Sequence, residues 1–170
     1  MAVQSWIDAP HNAAGWERLA TTPVFDEPGF AAHGLKAASG AVVVEPDGRV
    51  WTVSPTNAFG GYTNTFPKGS LDAGHQLSLK ANAIKEVFEE SGLRVELLGF
   101  LVDTKRTTST TRYYVARRVA GTPADMGWES QAVHLVPAKT LSHFASHPND
   151  KPIIAALLQW IAQHPWQADR

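Results

Sequence analysis

Residues 69–93, GSLDAGHQLSLKANAIKEVFEESGL, constrain this chain more than any other stretch. Ala83, Ile84, Val87 and Phe88 recur at helical spacing and Gly92 is a natural stop, so the pattern predicts a helix over 78–91. Beside that apolar arc stand Glu86, Glu89 and Glu90, which at about 100° per residue fall within an arc of about 100°. One face of the helix is made for a core and the other for a ligand. Carboxylates crowded onto one turn repel one another, and a hard divalent ion such as Mg²⁺ relieves the repulsion. Such an ion takes oxygen ligands and is typically held by one or two carboxylates together with substrate phosphates. A solvated acidic face is the commoner fate of clustered charge, and the surrounding residues decide between the two.

Those residues form a recognisable frame. Lys85, Glu86, Val87, Phe88, Glu89, Glu90, Ser91, Gly92 and Leu93 resemble the second half of the Nudix hydrolase signature, G-x5-E-x7-R-E-U-x-E-E-x-G-U with U aliphatic. The preceding Phe66-Pro67-Lys68-Gly69 is similar to the lead-in of many members. Three positions depart from the pattern. His75 stands where its first glutamate would be, Lys85 replaces its arginine, and the segment between them is two residues longer. Ser78 lies seven residues before Lys85, where the family usually has a Ser/Thr cap, which puts the insertion around Gln76-Leu77 and leaves the helix register intact. Lysine offers a point charge in place of the planar guanidinium fork, and Lys85 keeps a partner four residues on at Glu89.

The resemblance implies an α/β/α sandwich with a mixed sheet between helices. It implies Mg²⁺, with Mn²⁺ as a substitute, held by Glu86 and Glu90, by Glu89 directly or through water, and by the carbonyl of Gly69. It also implies a catalytic or metal-assisting carboxylate in a late loop, for which Glu129 in Met126-Gly127-Trp128-Glu129 is the candidate; the alternative for Glu129 is an ordinary loop residue. The first glutamate of the pattern, lost here, has a mainly structural role on that reading.

The remaining chain is read from its own residues. At 170 residues it suits one domain with a real core, and 44% hydrophobic with 18% charged residues is the balance of a globular protein. A net charge of −1 gives no general attraction to nucleic acid or anionic membranes, so any phosphate affinity is local. Cysteine is absent, which excludes disulfides, thiolate catalysis and zinc–thiolate sites. The start of the chain lacks a basic segment followed by an apolar one, and no apolar run approaches the length of a bilayer span. A cytoplasmic protein is expected.

Residues 1–36 read as an irregular lead-in with one short helix around 13–20, and residues 37–170 as the domain proper. Trp6, Trp16, Phe25 and Phe30 are costly to leave in water, so the lead-in packs on the domain or meets a second subunit in a homodimer. A hairpin follows at 41–44 and 50–53 around Pro46-Asp47-Gly48. Strands are expected at 95–102, 113–119 and 132–136, a polar loop at 103–112, and helices at 138–146 and 152–163.

For substrate binding, Lys68 beside Gly69 is a phosphate candidate. The loop carrying Lys105, Arg106 and Arg112 either grips phosphate or ribose or is simply a hairpin tip, and Arg112 is its strongest single candidate. His75 is either a ligand contact or an exposed loop residue. Trp51, Phe59 and Tyr62 are candidates to stack on a base, although a tryptophan in a strand is more often core. The expected function is Mg²⁺-dependent hydrolysis of a nucleoside diphosphate linked to another moiety, of the ADP-ribose or dinucleoside polyphosphate type, on a small-molecule nucleotide substrate. The rival is a catalytically inactive nucleotide-binding module that regulates a partner.

Overall fold

Strand β1 (Lys36–Val44) organises the molecule because it is paired along both edges. The computed structural model describes residues 4–72, 74 and 77–165. One edge of β1 runs parallel to β5 (Ser109–Gly121), from Lys36 opposite Ser109 to Val43 opposite Ala116. The other edge is shared between two antiparallel partners. Its first half pairs with the three-residue β3 (Lys68–Ser70), and its last residues pair with β2 (Arg49–Pro55). β4 (Leu93–Lys105) flanks β5 and β6 (Ser130–Pro137) flanks β2, so the mixed sheet runs β4-β5-β1-β2-β6, with β3 beside β1.

Both faces of this sheet are covered, which is why Ala41-Val42-Val43-Val44 is continuously apolar rather than alternating. Ala41, Val43, Tyr114 and Ala116 face one core with Ile84 and Val87 of α2 (Leu79–Ser91). Val42, Val44, Tyr113 and Val115 face a second core with Leu141 of the short α3 (Leu141–Phe144) and Ile153 and Leu157 of α4 (Lys151–Gln163). The result is the expected α/β/α sandwich. No helix among the described residues is long and apolar enough to cross a membrane.

The lead-in supplies α1 (Ala13–Leu19), capped by Asn12, whose side chain accepts from the Gly15 amide at 2.9 Å. Its tryptophans turn inward. Trp6 meets Trp16 edge-on at 5.7 Å between ring centroids and Phe88 of α2 at 5.0 Å, while Phe25 lies 6.0 Å from Tyr114 and Phe30 lies 5.3 Å from the Arg112 guanidinium. The aromatics of the lead-in are thus packed against this chain's own domain.

Three expectations need correction. The polar loop at 103–112 is mostly strand: β4 continues to Lys105 and β5 starts at Ser109, because the buried Thr104, Thr110 and Thr111 suit a pleated, half-buried surface. The tip shrinks to Arg106, Thr107 and Thr108. The helix at 138–146 is a 3₁₀ turn (Ala138–Thr140) running into the four-residue α3, and Pro148 soon begins another short turn. β3 was not anticipated, since three residues containing a glycine after a proline carry no periodic signal.

Replacing Trp16 by Ala is expected to destabilise the protein by about 3–5 kcal/mol, the usual range for losing a buried large aromatic. Urea denaturation of the two forms checks this, and an unchanged midpoint would show that the lead-in adds nothing to the fold.

Candidate active site

The site forms where α2 passes β3. Ser78 caps the helix by accepting from the Ala81 amide at 3.1 Å, and Gly92 ends it with φ near 72° and an amide bonded back to the Phe88 carbonyl at 2.7 Å. Between these ends, Asn82 interrupts the apolar arc for a reason. Its amide nitrogen donates to the Gly69 carbonyl at 3.1 Å and to the Ser39 hydroxyl at 3.0 Å, tying helix, β3 and β1 together. Sequence reading missed Asn82; the only signal was a polar residue among Ala81, Ala83 and Ile84.

That tie brings backbone against carboxylate. The Glu86 side chain lies so close to Gly69 that a Cβ there would sit 2.1 Å from its carboxyl. Gly40 makes the same accommodation on β1, where a Cβ would sit 2.1 Å from the Pro67 carbonyl oxygen. One turn on, Glu90 accepts from the Lys68 amide at 3.0 Å. Glu89 points elsewhere, half-exposed, and pairs with Lys85 at 2.9 Å; Lys85 also reaches Glu86 at 3.7 Å. The lysine standing in for arginine therefore bridges two of the three glutamates.

Burial pushes the Glu86 carboxyl up to about 7, with the charges of Glu89 and Glu129 adding to the rise against the pull of Lys85. Burial likewise pushes Glu90 up to about 8, opposed by Lys68 and reinforced by Glu86 and Glu129. Glu129 itself is exposed, and its loop is fixed to the helix: the Gly127 amide donates to the Glu89 carbonyl at 2.7 Å, and the Glu129 carbonyl accepts from the Thr56 amide at 2.9 Å. Among the described residues no three carboxylate or imidazole groups form a ready-made metal cage. What the structure offers is two carboxylates raised into the neutral range and a backbone carbonyl, a donor set that suits a cation finishing its shell with water and substrate oxygens. The Gly69 carbonyl already accepts from Asn82 and stands opposite Ser39 in the ladder between β3 and β1.

A cationic layer lies beside the carboxylates. The Lys68 ammonium stands 5.1 Å from the Tyr62 ring centre, its amine pushed down by burial, and the Arg106 guanidinium lies the same distance from that ring. Arg106 donates to the Tyr62 and Tyr113 hydroxyls at 2.7 Å each, Asn149 donates to Tyr62 at 2.9 Å, and His147 stacks on Tyr62 at 3.9 Å. Behind them Asp150, 0% exposed, lies 3.7 Å from Arg106. Burial raises its carboxyl against the pull of Thr65, Arg106 and Lys68. Sequence reading missed Asp150 and Asn149, which sit in a Pro-Asn-Asp turn indistinguishable from solvent-exposed loop.

The substrate-binding expectations divide accordingly. Lys68 is placed against Glu90, at the site. Arg106 is turned into the protein by two tyrosines, and Lys105 ends β4 in solvent. Arg112 is engaged by the protein itself. It is 1% exposed, bidentate to Asp103 at 2.7 Å for each bond and bonded to Glu27 at 3.0 Å and the Pro28 carbonyl at 2.7 Å, so it fastens the lead-in to the sheet. Trp51 donates to Glu45 at 2.8 Å and Tyr62 is buried under His147, so neither is free to stack on a base; Phe59, 83% exposed, is. His75 lies outside the described residues.

The comparisons with known proteins agree with this mixed sheet between helical layers. A family model for the NUDIX domain matches residues 34–157, and the chain belongs to the NUDIX family. The RNA pyrophosphohydrolase of Caulobacter vibrioides is 35% identical over 94 residues, covering 54% of this chain and 50% of the relative; the chain thus spans about half the length of that protein. Among solved structures, a NUDIX hydrolase from Nitrosomonas europaea superposes with a TM-score of 0.63 at 14% identity, over 76% of this chain and 90% of the other. An ADP-ribose pyrophosphatase from Streptococcus suis gives 0.60 at 19% identity, over 78% and 96%. At such identities the structural likeness concerns the fold.

The raised carboxyl of Glu86 has a measurable consequence without divalent ions. The folded state keeps this proton up to about pH 7, whereas the unfolded chain releases it near its ordinary value of 4.5. The folded state therefore binds more protons within that window, and its stability falls as pH rises through it. Glu86→Gln should remove this contribution, so that wild type loses roughly 1–3 kcal/mol more than the variant between pH 5 and 8. Chemical denaturation in a chelating buffer at several pH values measures the difference; parallel pH profiles would contradict the burial argument.

Proposed function

We propose that this chain is a divalent-cation-dependent pyrophosphohydrolase acting on a nucleoside diphosphate linked to another moiety. The observation that carries the reading is the pair Glu86 and Glu90, held against β3 with carboxyls raised by burial and mutual repulsion. A fold has little reason to bury two carboxyls side by side unless a cation joins them. Glu86, Glu90 and the Gly69 carbonyl would hold Mg²⁺ or Mn²⁺, and Glu89 would join them directly or through water. When bound, the ion supplies charge neutralisation for a pyrophosphate and acidifies water.

The chain's own residues would do the rest. Lys68, its amine pushed down by burial, stands over Tyr62 and would bind a phosphate oxygen, whose charge offsets the solvation lost on burial. Lys85 holds Glu86 and Glu89 in place. Glu129, exposed and electrically coupled to both buried glutamates, would take the proton of the attacking water. ADP-ribose or a dinucleoside polyphosphate is the leading substrate class, in keeping with the described activity of the S. suis neighbour. The name of the C. vibrioides relative adds RNA, in which a pyrophosphate can occur only at an end. The net charge of −1 supports no general affinity for nucleic acid beyond such an end.

Glu90→Gln should abolish both Mg²⁺ binding and turnover, because a neutral amide does not replace an anionic ligand for a hard cation. Calorimetric titration with Mg²⁺ decides it, and undiminished affinity in the variant would remove Glu90 from the site. Glu129→Gln should slow turnover on the order of a hundredfold while leaving metal affinity nearly intact; a rate near wild type would return Glu129 to the ordinary loop. The substrate class is tested with a panel of ADP-ribose, dinucleoside polyphosphates, nucleoside triphosphates and 5′-phosphorylated RNA, with products identified by mass. Cleavage of triphosphates alone would overturn the diphosphate-linked assignment. Tight nucleotide binding with Mg²⁺ but no cleavage would favour a regulatory binding module instead.

A further inference from the structure

The start of α2 is poorly provided for by its own residues. Its first turn has no acidic side chain and does have Lys80, although the partial positive charge of a helix N-terminus favours an anion and disfavours a cation. Both defects are met from the lead-in. The Lys80 ammonium lies 3.4 Å from Glu27 and 4.0 Å from the centre of the Phe25 ring. The missing acid is Glu17 of α1, which reaches across 61 positions of sequence to accept from the Ser78 amide at 2.5 Å and from the Ser78 hydroxyl at 2.9 Å.

Glu17 thereby acts on the helix cap itself. Ser78 spends its hydroxyl proton on Glu17, so the lone pairs of that oxygen are left for the Ala81 amide, which donates to it at 3.1 Å. A hydroxyl that donates to a carboxylate is also a better acceptor, because the bonds polarise one another. From Ser78 the order passes to the site in two bonds. The Ser78 carbonyl accepts from the Asn82 amide at 2.9 Å, and the Asn82 side chain donates to the Gly69 carbonyl and the Ser39 hydroxyl. Ser39 in turn donates to the Leu79 carbonyl, in the same first turn, at 2.8 Å. Fraying of that turn takes away the backbone bond of Asn82 and the acceptor of Ser39 together.

We propose that Glu17 is a positioning residue for the candidate site: acting through Ser78 and Asn82, it fixes the start of α2 and with it the Gly69 carbonyl. The metal role of that carbonyl rests on the hydrolase reading, whereas the ordering of Asn82 is separable from it. Glu17 precedes residue 34, where the match to the family model starts, so a residue outside that match completes the site. Its action is also distinct from that of the lead-in tryptophans, which pack on Phe88 near the other end of the helix.

The test separates positioning from stability. Glu17→Ala and Glu17→Gln are compared in the full chain with Ile154→Ala, which lies in the core on the opposite face of the sheet from α2. Thermal melts establish that each variant folds, and every other measurement is made well below the lowest midpoint. In the metal-free protein, NMR follows solvent exchange of the Asn82 side-chain amide protons, which their two hydrogen bonds protect. Glu17→Ala should speed this exchange about two- to thirtyfold, the equilibrium worth of losing a helix cap. It should weaken Mg²⁺ binding in calorimetry by up to the same factor, since affinity falls with the fraction of molecules that have the carbonyl in place, and lower kcat with it. Gln keeps an oxygen for one of the two Ser78 donors and lacks the charge, so Glu17→Gln should recover part of each loss. Ile154→Ala should melt lower than Glu17→Ala and leave Asn82 exchange and Mg²⁺ affinity unchanged.

A Glu17→Ala protein that melts lower but keeps wild-type exchange at Asn82 would reduce Glu17 to a stabilising cap and overturn the proposal. Equal acceleration in Ile154→Ala would overturn it too, as would faster exchange accompanied by wild-type Mg²⁺ affinity and kcat. If wild type neither binds Mg²⁺ nor cleaves a nucleotide pyrophosphate while Glu17→Ala still frees Asn82, the positioning stands and the hydrolase falls. Mg²⁺-dependent cleavage indifferent to Glu17 would do the reverse.

Discussion

How closely α2 can approach β3 governs the rest of the site. The helix comes near enough because Gly69 has no side chain where the Glu86 carboxyl lies, and it is held there by Asn82 on the Gly69 carbonyl and by Glu90 on the Lys68 amide. β3 is itself fixed by β1, where Gly40 admits the Pro67 carbonyl. A chain of backbone approaches, each needing a missing Cβ, sets the position of two carboxylates. Their raised protonation equilibria follow from that position rather than from anything unusual about the glutamates themselves.

Charge in this protein is sorted by what it meets. Glu86 and Glu90 are desolvated by β3 and repelled by Glu129, so they are poised to accept a cation. The arginines are committed to the fold: Arg112 is saturated by Asp103, Glu27 and backbone carbonyls, and Arg106 is divided between two tyrosines near Asp150. The cations that act on the carboxylate pair are lysines: Lys85 lies 3.7 Å from Glu86, and the charge of Lys68 acts on Glu90. The planar guanidinium serves where several fixed acceptors converge, and the flexible ammonium serves where a partner has yet to arrive.

What was legible in the sequence follows the range over which each signal acts. The helix at 78–91, its Gly92 stop, the hairpin and the apolar C-terminal helix are local patterns, and the observed elements agree with them within a few residues. The sandwich was legible too, through a family resemblance carried by residues 66–69 and 85–93. The partners of Arg112 were not legible, because Asp103, Glu27 and Pro28 come together only through strand pairing and the return of the lead-in. Asp150 and Tyr62 were hidden for the same reason, since a Pro-Asn-Asp turn and a loop tyrosine look exposed until the fold brings both against Arg106. Whether a loop aromatic faces water or protein is likewise a tertiary fact: Tyr62 and Phe59 stand three residues apart and have opposite fates.

The tryptophans of the lead-in close on Phe88, which belongs to the same helix as the site glutamates. The match to the family begins at residue 34, after both tryptophans. The stretch shared with relatives and the stretch that packs as one body therefore do not have the same boundary. A version trimmed to the shared stretch would carry every candidate ligand, yet it would leave the outer side of the ligand-bearing helix wet. Modularity inferred from common ancestry is here a poor guide to where the chain can be cut.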